Sequence, residues 1–315
     1  MSTATSDRGK TDALPRASVV VPVFNAVGEI GRLVESLLAQ DYPRDRFEIV
    51  VVDNGSTDGT AAVVAGFPVK LLKETDVQSS YAARNRALAE VTGEWVAFTD
   101  ADCFAPPGWL RALLGSPLPD DVGAVAGEIE ALELETAVQR LTERFAIMKH
   151  AETLHHKAVA CFSTANVAVR RDVLIELGGF RDDTQFFGDM DLSWRMQLEL
   201  KRRLLFRPEA VVLHRHRRTW RQLWRHGRQH GRGVAFMKKS HPEVYRIDPG
   251  EQLGRIAGLV RAAGAALGGK RKNGFGRDRW LAPLFLATWY CGMGAGYLMG
   301  PAHSSAVKAP KERES

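Results

Sequence analysis

The sequence predicts an α/β fold in which a mostly parallel sheet carries helices on both faces. The 315 residues are 45% hydrophobic and 25% charged, which is an ordinary globular composition that suffices for one large domain or two small ones. Four short runs rich in β-branched and aromatic residues read as strands, and helical patterns separate them. The strand runs cover 18–24, 47–53, 69–72 and 96–99. Strands that alternate with helices predict parallel pairing, because parallel strands need long crossovers.

Local signals place the helices between these strands. Apolar residues recur at helical spacing from Ile30 to Leu38, and Thr57 is expected to cap a second helix. A third helix over 79–91 ends at Thr92-Gly93. Later segments repeat the alternation, with helices near 109–114 and 134–156 and strands over 122–129, 161–170 and 210–213.

Charge and cysteine content narrow the function classes. The net charge of +6 is uneven, since 201–232 holds eleven Lys or Arg residues and one acid, Glu209. Such a segment favours phosphate groups of a nucleotide, an anionic lipid or a nucleic acid, and its alternative is a solvated basic face. Three widely spaced cysteines predict no disulfide framework and a reducing compartment. Residues 1–16 lack the apolar core of a signal peptide and read as a disordered leader.

Two carboxylates follow the central strand. Asp100 and Asp102 end an apolar run, where an ionised group is costly unless a partner compensates it. Ligands of open α/β sheets sit beyond the carboxyl ends of the strands, and Mg²⁺ or Mn²⁺ prefers oxygen ligands there. Asp53 ends the predicted strand 47–53 in the same way. The pattern therefore favours a metal-bound nucleotide diphosphate, while an Asp-containing turn is the alternative at each position.

Two common nucleotide signatures are absent. No G-x-G-x-x-G follows the first strand, and Gly227, Gly231 and Gly233 follow no predicted strand. The Walker pattern is also missing, so a dehydrogenase and a P-loop NTPase are disfavoured.

Four motifs in order resemble glycosyltransferase family 2, and the resemblance runs from about residue 17 to about residue 233. They lie at 19–25, 51–59, 83–85 and 98–102, ending in Phe98-Thr-Asp-Ala-Asp102. The resemblance implies the GT-A fold over 17–235 and inverting transfer from a nucleotide sugar. We expect an enzyme of cell-surface glycan or glycolipid synthesis, with its catalytic domain on the cytoplasmic side, as the basic residues before 280–300 indicate.

The resemblance also assigns roles in donor binding. It implies that Asp53 holds the nucleobase, with Pro22 and Phe24 lining its slot. Arg84 would lie near the diphosphate, and Asp100 would face the sugar or ribose. A UDP-sugar is the expected donor, and the acceptor is expected to be a glycan or a lipid-linked hydroxyl.

The metal and the base are assigned in the same way. Asp102 would ligate a divalent metal, Mg²⁺ or Mn²⁺, and His214 would join it, with His216 as the alternative. Asp189 would be the general base. The family usually has Glu before this Asp, whereas this chain has Gly188.

The two acids at 189 and 191 are expected to differ in role. Both precede an amphipathic run and open a helix, where a carboxylate is favoured by the helix dipole. Residues two apart on a helix point to different sides, so one of the pair can face an acceptor. The resemblance aligns Asp189 with the catalytic position, which leaves Asp191 to cap or brace the helix.

The tail over 236–302 is predicted to be helical and to associate with a membrane. A basic amphipathic helix is expected near 255–267, and five basic residues precede the uncharged stretch 280–300. That stretch is just long enough to span a bilayer, and an interfacial segment is the alternative. Residues 303–315 read as a disordered tail.

Three rival functions stay open on the sequence. A sugar-phosphate nucleotidyltransferase would need a Gly-rich signature after the first strand, which this chain lacks. A membrane-tethered sugar-nucleotide-binding protein with degenerate chemistry is disfavoured because Asp53, Asp102 and Asp189 are all present. Nucleic-acid binding ranks lowest and is not expected. Gln222 to His226 approximates the Q-x-x-R-W of processive synthases, with His in place of Trp, so processive synthesis is not favoured.

Overall fold

A single eight-stranded sheet forms the centre of the protein. The computed structural model describes residues 14–154, 159–245 and 276–301. The strands are β1 Ala17–Val23, β2 Phe47–Asp53, β3 Lys70–Lys73, β4 Trp95–Phe98, β5 Cys103–Phe104, β6 Val122–Ala131, β7 Val167–Arg170 and β8 Arg203–His214. The helices are α1 Ile30–Leu38, α2 Thr60–Ala65, α3 Ser80–Leu88, α4 Trp109–Leu114, α5 Ala137–Arg144, α6 His150–Thr153, α7 Arg171–Glu176, α8 Gly188–Leu198, α9 Trp220–Ser240 and α10 Ala282–Leu298.

The sheet is parallel in its first half and mixed in its second. The strand order is β3-β2-β1-β4-β7-β6-β8-β5, and the first four strands are parallel. β7 runs antiparallel to β4 and to β6, and β5 runs antiparallel to β8. The predicted α/β fold with a mostly parallel sheet is confirmed. Strand direction in the second half depends on the connections, which local patterns do not reveal.

Both faces of the sheet are covered by helices. Val19 and Val21 pack with Leu33 of α1 on one face, whereas Val20 packs with Tyr81 of α3 on the other. All three valines are fully buried. This double coverage explains why β1 reads as a continuous apolar run instead of an alternating one.

The second of the four motifs, at 51–59, organises the loop after β1. Asn25 has a left-handed backbone with φ 48°, and its Oδ1 accepts a hydrogen bond from the Thr57 N–H at 2.8 Å. The Ala26 N–H donates to Oγ1 of Thr60 at 2.9 Å. The prediction that Thr57 caps α2 is wrong, because the N-cap is Gly59 at φ 91° and Thr57 is used by the β1 loop. The motif therefore holds two loops together at the carboxyl edge of the sheet.

The tail helix α10 packs on α9 through glycine. α10 crosses α9 so closely that a Cβ at Gly227 would lie 2.6 Å from the Trp289 carbonyl oxygen. A Cβ at Gly292 would lie 2.7 Å from the carbonyl oxygen of Trp224. Gly231 and Gly296 repeat this arrangement one turn later along each helix. The two helices thus meet backbone to backbone, which only residues without a side chain permit.

The tail differs from the sequence-based expectations in the length of its apolar helix and in where the boundary falls. No helix in the described ranges is both long enough and apolar enough to cross a membrane, and the spanning helix expected over 280–300 is instead the 17-residue α10. The boundary expected after residue 235 lies inside α9. The helix expected over 255–267, and residues 1–13 and 302–315, lie outside the described residues.

We expect Gly231→Ala to loosen the contact between α9 and α10, because its methyl group would overlap the Met293 carbonyl oxygen. Overpacking of this kind costs about 1–3 kcal/mol, which urea denaturation would register as a lower free energy of unfolding. Gly294→Ala is the matched control, since a Cβ there meets no neighbouring atom within 4 Å. The control should be neutral or stabilising by up to about 1 kcal/mol. Equal losses in both variants would contradict the packing argument.

Candidate functional site

A cavity of about 690 Å³ opens at the carboxyl ends of β1 and β4. Side chains from α3, α5, α8 and the segment after β8 complete its walls. Seven of the eight residues predicted for the site line it: Pro22, Phe24, Arg84, Asp100, Asp102, Asp189 and His214. The fold therefore brings together residues that lie far apart in the sequence.

Asp53 is the predicted residue that does not line this cavity. It ends β2 opposite Val23, one residue from Phe24, and its side chain is buried. Its Oδ1 accepts a hydrogen bond from the Ser56 N–H at 3.2 Å. Phe24 is 47% exposed and forms the part of the cavity wall next to it.

Arg84 is buried and forms an ion pair with the half-buried Asp100. The guanidinium Nη2 lies 2.6 Å from Oδ1 of Asp100, and the Arg84 side chain is 3% exposed. The guanidinium also lies over the rings of Tyr81 and Phe180, at 5.6 and 5.8 Å from their centroids. Its Nε has no hydrogen-bond partner among the described residues. Arg84 thus holds Asp100 at the cavity edge while keeping one N–H unused.

Asp102 faces a histidine and an arginine. Its Oδ1 lies 3.5 Å from Nε2 of His214, and its Oδ2 lies 3.6 Å from the Arg217 guanidinium. Pairing of β5 with β8 places Cys103 opposite His214, which brings the histidine beside the strand-end carboxylate. Burial lowers the pKa of His214, so the imidazole is neutral and can act as a ligand.

A hydrogen-bond chain orients His214. Nδ1 of His214 lies 3.1 Å from Nδ1 of His216, and Nε2 of His216 lies 3.1 Å from the Glu143 carboxylate. Because a carboxylate accepts, Nε2 of His216 carries a proton, and the arrangement in which Nδ1 of His216 accepts from Nδ1–H of His214 suits His214 as a metal ligand. The Nε2 lone pair of His214 is left facing Asp102. Sequence reasoning missed Glu143, which lies 73 residues before His216 and belongs to no motif recognised in the sequence.

Asp189 enters the cavity from the start of α8 and is held by neutral donors. Its carboxylate accepts hydrogen bonds from the Tyr81 hydroxyl at 3.4 Å, the Thr164 N–H at 3.3 Å and the Met190 N–H at 3.0 Å. Burial raises the pKa of Asp189, and the positive charge of Arg84 opposes this. Sequence reasoning missed both Tyr81 and Thr164.

The departure from the family pattern at Gly188 has a steric cause. A Cβ at this position would lie 2.8 Å from the Tyr81 ring, so a Glu side chain would displace the tyrosine. Tyr81 instead fills that space and donates to the carboxylate of the next residue. The glycine is therefore coupled to a tyrosine more than 100 residues earlier.

Asp191 points away from the cavity and braces the helix, as expected. Its side chain is fully buried between Nε of Arg195 and Nε2 of His241, each 2.8 Å from a carboxylate oxygen. His241 follows the last residue of α9, so Asp191 ties α8 to the end of that helix. The two neighbouring acids thus have different surroundings.

The basic segment 201–232 is largely paired within the protein. Arg203 pairs with Asp121, and Arg218 pairs with Glu135 at 2.6 Å. Arg217 and Arg218 line the cavity and add positive charge to it. Part of the segment is therefore a basic surface whose charges are paired with acids of the protein. The end of the segment beyond β8 faces the candidate site.

Comparison with known sequences supports the four-motif resemblance. Residues 18–178, just over half of the chain, match the family described as Glycosyl transferase family 2. Glycosyltransferase AglE of Haloferax volcanii is 33% identical over 59% of this chain and 62% of its own length. The Pre-mycofactocin glycosyltransferase of Mycobacterium tuberculosis is 31% identical over 78% of this chain and 55% of its own length. The chain spans about three fifths of the length of these curated relatives.

Solved structures show the same fold. The mannosyltransferase PcManGT from Pyrobaculum calidifontis, in complex with GDP-Man and Mn²⁺, aligns with a TM-score of 0.64 at 24% identity. The alignment covers 91% of this chain and 88% of that one. Glucosyl-3-phosphoglycerate synthase from Mycobacterium tuberculosis, with Mn²⁺, UDP-glucose and phosphoglyceric acid, aligns with a TM-score of 0.51 at 21% identity. That alignment covers 71% of this chain and 79% of the synthase. With the matched family over half of its length and the strand-end acids at one cavity, this chain belongs to glycosyltransferase family 2.

Proposed function

We propose that this chain is a metal-dependent, inverting glycosyltransferase that moves a sugar from a nucleotide-diphosphate sugar to an acceptor hydroxyl. The observation that carries the proposal is the placement of two acids at one cavity. Asp102 lies beside His214 on one wall, and Asp189 stands on another wall among neutral donors. Asp102 is suited to binding a cation, and Asp189 is suited to accepting a proton.

The residues present fit a divalent metal. Two donors bound to one octahedral ion at about 2.1 Å lie roughly 3 Å apart, and the Asp102 and His214 donor atoms are separated by 3.5 Å. The described residues hold no cluster of three or more His, Cys, Asp or Glu around an ion position. The chain would therefore supply two ligands to Mg²⁺ or Mn²⁺ and the donor diphosphate would supply others, as is usual for these ions. A bound ion would stabilise the charge on the departing diphosphate.

The chain's own residues account for proton transfer. Asp189 is placed to accept the proton of an acceptor hydroxyl while that oxygen bonds to the anomeric carbon and the bond to the diphosphate breaks. The Tyr81 hydroxyl and the Thr164 N–H keep the carboxylate in position. Attack from the face opposite the leaving group inverts the anomeric centre.

The remaining cavity residues are assigned to the donor. We place the nucleobase against Pro22 and Phe24 next to Asp53, and the diphosphate near Arg84. Asp100 faces the sugar or ribose. A UDP-sugar is the proposed donor, and the two solved structures named above, which hold GDP-Man and UDP-glucose, support a nucleotide sugar as the substrate class.

Asp102→Asn is expected to abolish metal-dependent donor binding, because it removes the carboxylate charge that would face the ion. Calorimetric titration of UDP with and without Mn²⁺ measures this directly. Asp53→Ala is the comparison variant, and it should weaken UDP binding while leaving the dependence on Mn²⁺ intact. Unchanged metal dependence in Asp102→Asn would overturn the metal assignment.

Asp189→Asn and Asp191→Asn should separate turnover from stability. Loss of a general base costs about 10²–10⁴ in rate, so Asp189→Asn should lower kcat strongly, with near-normal donor binding and no loss of stability. Asp191→Asn breaks a buried charge pair and should lower the free energy of unfolding by about 3 kcal/mol. Steady-state kinetics and urea denaturation measure the two effects.

The pH dependence gives a second readout of the same base. The raised pKa of Asp189 means that its carboxylate takes up a proton at higher pH than an ordinary Asp, whose pKa is about 3.9. In the wild type, kcat/KM should therefore fall with decreasing pH from a point above that value.

For the two variants, a stable, inactive Asp191→Asn beside an active Asp189→Asn would move the base to Asp191.

We also propose that the enzyme works at the cytoplasmic face of a membrane, in cell-surface glycan or glycolipid synthesis. Leu284 and Leu298 of α10 are 53% and 86% exposed, and such side chains favour an interfacial position. Burial of a leucine is worth about 1.5–3 kcal/mol, so Leu298→Glu should weaken binding to phosphatidylcholine–phosphatidylserine vesicles about ten-fold. Ile175→Glu, at a 59% exposed position on α7, is the control. Equal vesicle binding by both variants in co-sedimentation would refute attachment through α10.

A further inference from the structure

A second cavity of about 260 Å³ adjoins the first on the far side of Asp189. The wall between the two cavities consists of Tyr81, Met148, Ser163, Asp189, Arg217 and His226. The Asp189 carboxylate therefore faces both spaces. A molecule in the smaller cavity can present a hydroxyl to Asp189 while a donor occupies the larger one.

The smaller cavity has an apolar and aromatic lining. Its apolar walls come from Ile147, Phe162, Phe186, Phe187 and Met190. The Phe187 ring is held edge-on against His230 at 4.6 Å, and Trp289 of α10 backs His230 at 5.1 Å. Two amides, Gln185 and Gln229, supply polar contacts. Such a surface favours a flat, apolar group with few hydrogen-bonding atoms.

The charge of the lining disfavours an anionic molecule. Both ring nitrogens of His150 are used, one with the Gly127 carbonyl and the other accepting from the Ser163 N–H, so this ring is neutral. Burial lowers the pKa of His230 to about 4 and that of His226 well below its usual range. Neither histidine therefore carries charge at neutral pH.

The charged groups on this wall lead to the same conclusion. Arg217 is the one cation among the lining residues that the structure describes, and its guanidinium lies 3.6 Å from Asp102 on the donor side. The anionic group beside the cavity is Asp189 itself. A carboxylate or phosphate placed here would lose its hydration and meet a like charge.

From this lining we propose that the smaller cavity is the acceptor subsite, and that it takes an uncharged acceptor whose hydroxyl is carried by an aromatic or similarly apolar group. The proposal rests on the glycosyltransferase function proposed above and specifies its acceptor class. A dry cavity of about 150 Å³ can hold benzene. The observed volume therefore suits one ring with a short substituent, while a larger acceptor would extend outward.

The test uses the full chain with Mn²⁺ and three small acceptors of different chemistry. They are 4-hydroxybenzyl alcohol, glycerol and 3-phosphoglycerate. Mn²⁺-dependent hydrolysis of nucleotide sugars without acceptor first identifies a donor and tests the proposed function by itself. We expect kcat/KM for transfer to the aromatic alcohol to exceed that for each of the others by at least about ten-fold. Equal or better transfer to 3-phosphoglycerate or glycerol, or no transfer to the aromatic alcohol by an enzyme that hydrolyses the donor, would overturn the acceptor assignment alone.

A binding experiment separates the subsite from turnover. Gln229→Trp narrows the smaller cavity from α9 and should weaken binding of 4-hydroxybenzyl alcohol about ten-fold in ligand-observed NMR. Arg221→Trp, exposed on the same helix and outside both cavities, is the matched control and should bind as the wild type does. Gln185→Trp narrows the cavity from the loop before α8, and it replaces the first variant if that one fails to fold. Unchanged binding in a folded narrowing variant would refute the location, whatever the outcome for activity.

Discussion

A carboxylate taken out of water needs a compensating partner, and the way each acid meets this requirement divides the site into its parts. Asp100 is held by the buried Arg84 guanidinium. Asp191 is enclosed by a guanidinium and an imidazole and serves the packing of α8. Asp189 instead receives a hydroxyl and two backbone N–H groups, which leaves a carboxylate with a raised pKa beside the cavity. Only this last arrangement suits proton transfer.

Short pairings in the second half of the sheet build the other side of the site. The two-residue strand β5 pairs with the end of β8 and brings His214 beside Asp102. His216, two residues on, then reaches Glu143 at the end of α5. A small antiparallel contact thus assembles donors from three segments, and the orienting chain behind His214 is of the kind that tunes metal ligands.

The contact between α9 and α10 makes the tail part of the catalytic unit. Gly227 and Gly231 on one helix meet Gly292 and Gly296 on the other, so the backbones approach closely. This approach brings Trp289 against His226 and His230, which form a wall between and behind the two cavities. The glycines that would weaken an isolated helix are the residues that allow this one to dock.

The sequence alone determined strands β1 to β4, the α/β alternation and the acids at the ends of β2 and β4, because these depend on side-chain period and turn chemistry within a few residues. Helical spacing also predicted that Asp189 and Asp191 face different sides, and the family resemblance indicated which of them faces the site. It did not determine the antiparallel direction of β7, the use of Thr57 in the β1 loop or the link from Glu143 to His214. From the sequence, Gly188 was a departure from the family motif, whereas the structure shows that the Tyr81 ring occupies the space a side chain there would need. Those features were decided only by the tertiary structure, because each depends on contacts between segments distant in the chain, and local patterns do not record such contacts.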